Sequence, residues 1–257
     1  MEQLLQHFRE SEKAFVEECH NWANEVDEQY IPKLTSFLNP RERYILKTIV
    51  AQRGLLYASE GGFEGAENKR VLIYPSYHEP TEEDFEIVVF ELRYPTKFVQ
   101  LTHREVYGAL MNSGIDRTRF GDIVFQGERV QLAVVSDLQT FFKLNFTEVG
   151  RTKVLLELAE KPYLVNKRTL EERLIFVSSL RLDAIVSEVA NISRQRASKL
   201  IQGEKVKLNW TVTTNNAQTV QLEDMISIRQ HGRFYVLRLE GTTKKDNIRL
   251  IVGKLID

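Results

Sequence analysis

The sequence predicts an α+β protein of three small units joined in one chain. Its 257 residues suffice for two or three small domains, each with its own core. A regular succession of strand and helix patterns fills the middle of the chain, and two short amphipathic helices followed by a basic strand fill the last third. Composition shifts and prolines set the predicted boundaries: an N-terminal helical α/β unit at 1–78, a middle α/β unit at 79–165, a linker at 166–180 and a C-terminal unit at 181–257.

Composition excludes several classes of protein. With 42% hydrophobic and 28% charged residues, the chain has the balance of an ordinary globular protein. No apolar run reaches the ~20 residues of a membrane span, and the first residues lack the regions of a signal peptide. We therefore expect a cytoplasmic protein without membrane contact. The single Cys19 and five scattered histidines show no zinc-ligand spacing, and we expect no metal, cofactor or small-molecule substrate.

The N-terminal unit is predicted to begin with two helices. A charged helix from about Glu2 to Asn24 carries apolar residues that only roughly follow helical spacing, which favours a packing role. The second helix has a clearer start, because Asn39 is a good N-cap and Pro40 suits the first helical position.

A glycine-rich loop at 61–70 follows, between short predicted strands at 55–57 and 71–74. Its three glycines suggest a turn that needs positive φ or a close backbone approach. The loop lacks the Gly-Lys-Ser/Thr of a phosphate-binding loop and carries acidic residues where an anion would lie. A structural turn is therefore the favoured interpretation.

The middle unit has the element order of a ferredoxin-like sandwich. Residues 102–105 form a capping box at a helix start, and Ser136 with Asp137 is placed to cap a second helix. The predicted elements are a strand at 85–92, a helix at 102–112, a hairpin of 123–125 with 130–135, a helix at 136–146 and a strand at 152–158. This is the βαββαβ order of the split βαβ fold.

RNA recognition motifs share that order, but this middle unit lacks their aromatic signature. Such domains stack bases on rings of the central strands, whereas 123–125 offers one ring and 131–133 none. Arg117, Arg119 and Arg129 could form a small basic patch. Because isolated charges are usually solvated surface residues, we favour that interpretation for these three arginines.

The net charge of −1 conceals an asymmetry along the chain. Residues 181–257 contain 13 Lys and Arg against 8 Asp and Glu, a balance of +5, while residues 1–180 contain 22 against 28, a balance of −6. Only the C-terminal part therefore has the charge balance of a polyanion-binding unit.

The C-terminal unit opens with two short predicted helices. Arg181 stands at the polar start of the first, whose apolar face contains Leu182, Ile185, Val186 and Val189. Ser193 is a strong N-cap for the second, and the helix start carries a partial positive charge. Polar and basic side chains follow there: Arg194, Gln195, Arg196 and Lys199. A helix start surrounded by cations can bind phosphate, because backbone donors and side-chain charges act on the same anion.

Two strands are predicted after these helices. In the first, at 205–209, Lys205, Lys207 and Asn209 share one face, and Val206, Leu208 and Trp210 share the other. The second, at 225–229, ends in a turn that places Arg229 and Arg233 close together. His231 in that turn has no neighbouring His, Cys or carboxylate that would make it a base or a ligand.

Several fixed spacings between about residues 180 and 235 agree at once with one family. They are Arg181-Leu182-Asp183, Ser193-Arg194-x-x-Ala197, Leu200-Ile201-x-Gly203-x-x-Val206-x-x-Asn209 and Asp224-x-Ile226-Ser227-x-Arg229-x-x-Gly232-Arg233. Together they resemble the alpha-L RNA-binding domain of the fourth small-subunit ribosomal protein. The resemblance implies contacts with structured RNA from Arg181, Arg194, Arg196, Lys199, Lys205 and Lys207. Arg229 and Arg233 either join them or stabilise the turn.

The wider arrangement also resembles a family. The Gly61-to-Glu67 loop, Gly121-Asp122-Ile123 and the stretch from Ser179 to Asp183 are similar to the YlmH proteins, encoded beside bacterial division genes. Where that family would have arginine after Glu67, this chain has Asn68. Membership implies binding to rRNA and peptidyl-tRNA on the large ribosomal subunit, and a role in rescuing stalled translation through ribosome-associated quality control.

Two other functions compete with this hypothesis. An RNA-modifying enzyme is the main enzymatic alternative, because Arg-Leu-Asp also surrounds the catalytic aspartate of pseudouridine synthases. Here the tripeptide lies inside the RNA-binding helix, so Asp183 is expected to cap it or to pair with a neighbouring basic residue. A cell-division interaction scaffold, docking through its N-terminal helix, is the other alternative.

Overall fold

The computed structural model describes residues 12–167, 169–222, 224–243 and 246–256. The chain divides into two compact units, residues 1–167 and residues 168–257. Helices and antiparallel sheets occur in both units, which confirms the predicted α+β class. Within the described ranges, every helix is too short or too polar to span a membrane.

The first part of unit one packs two helices against a three-stranded antiparallel sheet. Helix α1 (Lys13–Gln29) runs beyond the predicted end at Asn24, and its predicted start at Glu2 lies outside the described residues. Helix α2 (Pro40–Ala51) begins as predicted, because the Asn39 side chain accepts hydrogen bonds from two backbone N–H groups of its first turn. The strands are β1 (Lys33–Leu34), β2 (Leu56–Glu60) and β3 (Arg70–Tyr74), with β3 in the centre.

Cys19 lies in the buried cluster between these helices and the sheet. Burial, helped by nearby Glu18 and Glu42, raises the pKa of its thiol. The thiolate needed for reaction or metal binding is therefore scarce at neutral pH. The remaining buried members of the cluster are Val16, Ala23, Val26, Leu38, Ile45, Leu46, Ile49, Val50, Val71 and Ile73.

The second part of unit one is the predicted βαββαβ sandwich. Its four-stranded antiparallel sheet has the spatial order 120–126, 129–135, 87–93 and 155–158, which is the ferredoxin-like arrangement. Two helices and a short hairpin complete it. The elements are β4 (Ile87–Arg93), α3 (His103–Asn112), β5 (Phe120–Gln126), β6 (Arg129–Val135), α4 (Gln139–Asn145), β7 (Glu148–Val149), β8 (Thr152–Lys153) and β9 (Leu155–Leu158).

Local predictions within this sandwich had mixed outcomes. Thr102 and Glu105 form the predicted capping box at the start of α3. Ser136 does not cap the next helix, because 136–138 forms a 3-10 turn and α4 begins only at Gln139. The strand predicted at 152–158 is divided between β8 and β9, since β8 turns back to pair with β7.

The sheet face opposite α3 and α4 is covered by other segments of unit one. Phe37, Phe63, Ala66 and Leu164 are buried there with the sheet residues Val89, Val124, Ala133 and Val135. In RNA recognition motifs the corresponding face stacks bases. The covered part of this face is therefore not available for base stacking.

The glycine-rich loop is a fixed structural turn, as predicted. The Asp122 carboxylate accepts hydrogen bonds from the backbone N–H groups of Glu67 at 2.6 Å and Asn68 at 3.1 Å. Side-chain amides of Asn68 and Asn166 add bonds of 2.6 and 2.8 Å to the same carboxylate. A Cβ at Gly61 would lie 2.4 Å from the Cβ of Ala66, so only glycine fits there. These loop amides bind an internal carboxylate, which leaves them unavailable for phosphate.

Unit two is a six-stranded antiparallel sheet with two helices on one face. By residue range, the spatial order of the strands is 169–177, 248–256, 232–242, 225–228, 206–208 and 211–212. The elements are β10 (Thr169–Val177), α5 (Leu182–Ala190), α6 (Arg194–Gln202), β11 (Val206–Leu208), β12 (Thr211–Val212), β13 (Met225–Ile228), β14 (Gly232–Thr242) and β15 (Ile248–Ile256). A shared core buries Leu182, Ile185 and Ile201 of the helices against Ile226, Phe234 and Val252 of the sheet.

Strand β10 begins at Thr169, inside the segment predicted as a linker. It pairs with β15 along its whole length, from Thr169 opposite Ile256 to Val177 opposite Ile248. Most of the segment predicted as a linker at 166–180 therefore belongs to this sheet. The charged run Glu171-Glu172-Arg173 resembled a linker because charged residues are also typical of edge strands, and β10 is an edge strand.

Candidate RNA interface

The start of helix α5 holds one carboxylate between two arginines. Asp183 lies in the first turn and is 5% exposed. Arg181, the N-cap residue, donates from Nε and Nη2 to the two carboxylate oxygens, both at 3.1 Å. Arg194, the first residue of α6, donates from the same two atoms at 3.1 and 3.2 Å. Each guanidinium thus makes a forked pair of hydrogen bonds to the same carboxylate.

This cluster carries a net positive charge. Burial opposes ionisation of Asp183, but the hydrogen bonds and charges of Arg181 and Arg194 outweigh it, so the pKa of the carboxyl is lowered. At neutral pH two cations therefore face one anion. The arginine side chains remain 42% and 49% exposed, so the excess charge is presented to solvent.

The two helix starts differ in what their backbone amides bind. At α5, the N–H of Leu182 donates to Gln218 O at 2.9 Å and the N–H of Asp183 donates to Asn216 O at 3.1 Å. A loop of the same unit thereby satisfies these donors. At α6, Ser193 caps the helix as predicted, with Oγ accepting from the N–H of Arg196 at 3.3 Å. The α6 start is the exposed one, and its exposed side chains are Ser193, Arg194, Gln195, Arg196 and Lys199.

The other predicted site residues lie on or beside the strands of the sheet. The Arg229 N–H donates to Lys205 O at 2.9 Å, which places these two residues beside each other. Lys207 is paired with Ser227, and Ser227 with Arg233. Because Val206, Ile226, Ile228 and Phe234 point into the core beneath the helices, the strand residues that alternate with them, Lys207, Ser227 and Arg233, point away from it. Lys207 and Arg233 thus lie on the outer face, and Lys205 and Arg229 lie beside each other at the adjoining ends of β11 and β13.

The ten predicted residues therefore fall into two sets, one at the helix starts and one on or beside the strands. The helix set is Arg181, Ser193, Arg194, Gln195, Arg196 and Lys199, and the sheet set is Lys205, Lys207, Arg229 and Arg233. Among described residues, hydrogen bonds and ion pairs join Arg181 to Arg194 through Asp183, but join neither to the sheet set. Which residues contact RNA stays a prediction.

The hairpin turn between β11 and β12 was not predicted from the sequence. The strand predicted at 205–209 ends at Leu208, which pairs with Thr211, and the two residues between them have positive φ: 48° for Asn209 and 66° for Trp210. The predicted strand faces are therefore wrong for these two residues. Asn209 Nδ2 donates to Asp224 at 2.6 Å, and Asn209 Oδ1 accepts from the Met225 N–H at 2.8 Å. Asparagine at the first position of the two-residue turn was the available signal, but tryptophan instead of glycine at the second position obscured it.

Asp183 lacks the surroundings of a catalytic aspartate. A catalytic carboxylate must reach its substrate, whereas each Asp183 oxygen already accepts from both arginines. This pairing confirms the expectation that Asp183 binds a basic neighbour. His231 Nδ1 lies 3.1 Å from Arg229 O, in the turn where it was predicted. Across the described ranges, no group of three or more potential metal ligands is present.

Arg117, Arg119 and Arg129 of the middle sandwich each make an internal contact. Arg129 forms a forked pair of 2.9 Å hydrogen bonds with the buried Glu91. Arg119 pairs with Asp137. Arg117 donates to Phe120 O at 2.6 Å and lies over the Phe120 ring. Arg129 is exposed, in line with the prediction of a solvated surface residue, whereas Arg117 and Arg119 are half-buried.

Two short helices with a basic second start, packed on an antiparallel sheet, define a C-terminal RNA-binding module of the S4 type. Residues 180–226 match the model of the S4 domain, and residues 80–163 match the model "Putative RNA-binding domain in YlmH". The "Ribosome-associated protein quality control protein P2" of Bacillus subtilis (strain 168) is 41% identical over 251 residues, 97% of this chain and 98% of that protein. The chain therefore belongs to the YlmH family.

A solved structure supports the same relationship. It is that of the "Cell division protein ylmH from Streptococcus pneumoniae", which is 36% identical to this chain, with a TM-score of 0.53. The match covers 60% of this chain and 94% of that one.

Proposed function

We propose that this chain is a non-catalytic RNA-binding protein that binds structured rRNA or tRNA on the large ribosomal subunit and acts in the rescue of stalled translation. The name of the Bacillus subtilis relative supports a ribosome-associated role in protein quality control. A large subunit that carries peptidyl-tRNA is the proposed target. Such a role would be exerted in the cytoplasm.

One observation carries the proposal. Arg181 and Arg194 share the single carboxylate of Asp183 and keep much of their surface exposed. The resulting excess positive charge stands beside the exposed, capped start of α6, where helix-end amides also favour anions. Guanidinium forks match the geometry of phosphate oxygens. The cluster can therefore bind a phosphate of the RNA backbone.

The sheet set extends this binding to a second surface. Lys205 directly precedes β11 and Lys207 lies within it, so their Cα atoms are at most ~7 Å apart. Arg229 directly follows β13, and Arg233 lies in the neighbouring strand β14. Cations at such spacing can contact successive phosphates, and several neutralised phosphates would make the affinity fall steeply with salt.

Co-sedimentation with purified large subunits tests the proposal. In the variant Arg181→Gln with Arg194→Gln, affinity should fall at least ~10-fold, because charge-assisted hydrogen bonds contribute ~1.5–3 kcal/mol each. Glutamine is the better substitution, since glutamate would place a second negative charge against Asp183. Arg93→Gln with Arg238→Gln removes the same charge from exposed arginines outside the two sets and should bind like the wild type. Equal binding by all three proteins would refute the site assignment.

Subunit preference and salt provide two further readouts. Large subunits bearing peptidyl-tRNA should retain more protein than empty large subunits, and small subunits should retain little. The logarithm of the association constant should decrease linearly with the logarithm of the salt concentration. Salt-independent retention would point to a protein partner instead of RNA.

A cell-division scaffold is the second candidate, favoured by the name of the Streptococcus pneumoniae relative. Helix α1 is followed by the exposed Tyr30 and Ile31, and the exposed Tyr77 hydroxyl donates to Tyr30 O. The variant Arg181→Gln with Arg194→Gln separates the two functions. A scaffold would keep its division partners when ribosome binding is lost, whereas a translation factor would lose its cellular effect.

A further inference from the structure

The Asp183 cluster determines which guanidinium hydrogens face outward. A guanidinium carries five N–H donors in a planar fork. Arg181 and Arg194 each direct Nε and Nη2 at Asp183. The two Nη1 hydrogens and one Nη2 hydrogen of each arginine are therefore directed away from this carboxylate. Because both forks are fixed by the same pair of oxygens, the two sets of outward donors have a defined mutual orientation.

Because Asp183 holds both arginine side chains in place, less side-chain entropy is lost when they bind an anion. An exposed arginine normally loses much of its side-chain entropy when it forms a forked contact. Here the contact with Asp183 restricts both side chains before any ligand arrives. Preorganised groups bind more tightly, because less freedom is lost on binding.

We propose that Asp183 is a positioning residue for RNA binding, whose buried carboxylate holds Arg181 and Arg194 so that their outward donors converge on the phosphate backbone. The inference rests on the proposed function and deepens it. Asp183 itself would touch no RNA, because its two oxygens are turned to the arginines and its side chain is only 7% exposed.

The sign of one mutational effect distinguishes positioning from simple electrostatics. Asp183→Asn removes a negative charge close to the proposed phosphate site. If net charge alone governed binding, this variant would bind RNA as tightly as the wild type or more tightly. If Asp183 positions the arginines, the same variant should bind more weakly in spite of its more favourable charge.

Glu240 offers a matched control in the same unit. Its carboxylate accepts from Arg238 Nε at 3.1 Å, and Arg238 also pairs with Glu172 at 2.9 Å. Glu240→Gln therefore removes one negative charge, as Asp183→Asn does, and it alters one arginine contact outside the two sets, whereas Asp183→Asn alters two. It should bind as the wild type does or slightly more tightly.

The experiment compares these proteins in large-subunit binding over a salt series. Asp183→Asn should lose ~10-fold in affinity, the equivalent of one charge-assisted contact. Arg194→Lys keeps the charge but not the fork, so its affinity should fall while its salt slope stays unchanged. Thermal unfolding identifies any variant that has lost its fold. If Asp183→Asn is unfolded, the affinity of Arg194→Lys still tests the proposal.

The outcomes separate the two proposals. Wild-type or tighter binding by a folded Asp183→Asn, or wild-type binding by Arg194→Lys, would overturn the positioning role. If Arg181→Gln with Arg194→Gln also binds like the wild type, the proposed RNA site itself is wrong. Weak binding by that double variant together with tight binding by Asp183→Asn would leave the RNA site standing and remove only the positioning role.

Discussion

Arginines in the middle sandwich and in the C-terminal unit meet carboxylates in different ratios. Arg129 forms a one-to-one forked pair with Glu91, which is buried. Arg181 and Arg194 share Asp183 two to one. The first arrangement is neutral and the second carries one excess positive charge. Arginine count alone therefore does not locate a polyanion site, because the ratio to carboxylates decides where positive charge remains.

Arg238 shows the opposite ratio. It pairs with two carboxylates, Glu172 and Glu240, although it lies in the same unit as Asp183. Within one sheet and helix assembly, an exposed arginine can thus belong to a net negative or a net positive cluster. This difference makes Arg238 and Glu240 suitable controls for the Asp183 cluster.

The largest expected effect is on stability, and it distinguishes a pair with a buried carboxylate from a pair with two exposed partners. Arg129→Ala leaves the buried Glu91 carboxylate with only Gln131, so the free energy of unfolding should fall by ~2 kcal/mol. Arg93→Ala breaks a pair whose two partners are exposed and should cost less than ~1 kcal/mol. Urea unfolding measures both values. Equal losses would mean that burial of Glu91 does not distinguish the two pairs.

The variant Arg194→Ala should instead lose affinity for RNA with little change in stability. Arg194→Ala leaves Asp183 paired with Arg181, so the free energy of unfolding should change by less than ~1 kcal/mol. Affinity for large subunits should nevertheless fall ~10-fold, because one charge-assisted contact is lost. Arg129→Ala, measured under conditions where it is folded, should keep wild-type affinity. A loss of affinity in Arg129→Ala equal to that in Arg194→Ala would contradict the comparison.

The sheet set should produce a smaller change. Lys207→Gln should reduce the slope of the logarithm of affinity against the logarithm of salt by ~0.7–0.9, the contribution of one phosphate contact. Lys161→Gln is the control, since Lys161 pairs with Glu82 in unit one. Binding titrations at several salt concentrations measure both slopes. An unchanged slope in Lys207→Gln would remove that residue from the interface.

The smallest expected effect is that of pH. The pKa of Asp183 is lowered, because its arginine contacts outweigh burial, and the pKa of Glu91 is lowered by Arg129 and Gln131 against the opposing effect of burial. A lowered pKa gives stability that is present above the unfolded value, ~4, and is lost as pH falls through the folded value. Stability contributed by both carboxylates and affinity for RNA should therefore stay constant from about pH 5.5 to 8. A change of affinity with pH that has its midpoint at ~6.5 would indicate a histidine at the interface.

Local signals in the sequence predicted much of this fold. Asn39, Thr102 and Ser193 cap helices as expected, because a cap depends on residues of the same turn. The βαββαβ order followed from hydrophobic periodicity within each element. Burial of Phe63 against the middle sheet could not be predicted in this way, since it depends on contacts between distant segments.

The site was predictable only in its components. The sequence indicated that Asp183 pairs with a basic neighbour, but the participation of Arg194 depends on how α5 packs against α6. The separation of the helix set from the sheet set depends on strand register, which places Lys207 beside Ser227 on the outer face. The Asn209–Trp210 turn reverses the chain where alternation predicted a continuing strand.

Site-specific crosslinking tests the central claim most directly. A photoreactive residue at Gln195, beside Arg194, would be compared with one at Glu128, beside Arg129, since both positions are exposed. Each protein would be bound to large subunits that carry peptidyl-tRNA and then irradiated. The account predicts crosslinks to RNA from position 195 and few from position 128. RNA crosslinks from position 128 without any from position 195 would contradict it.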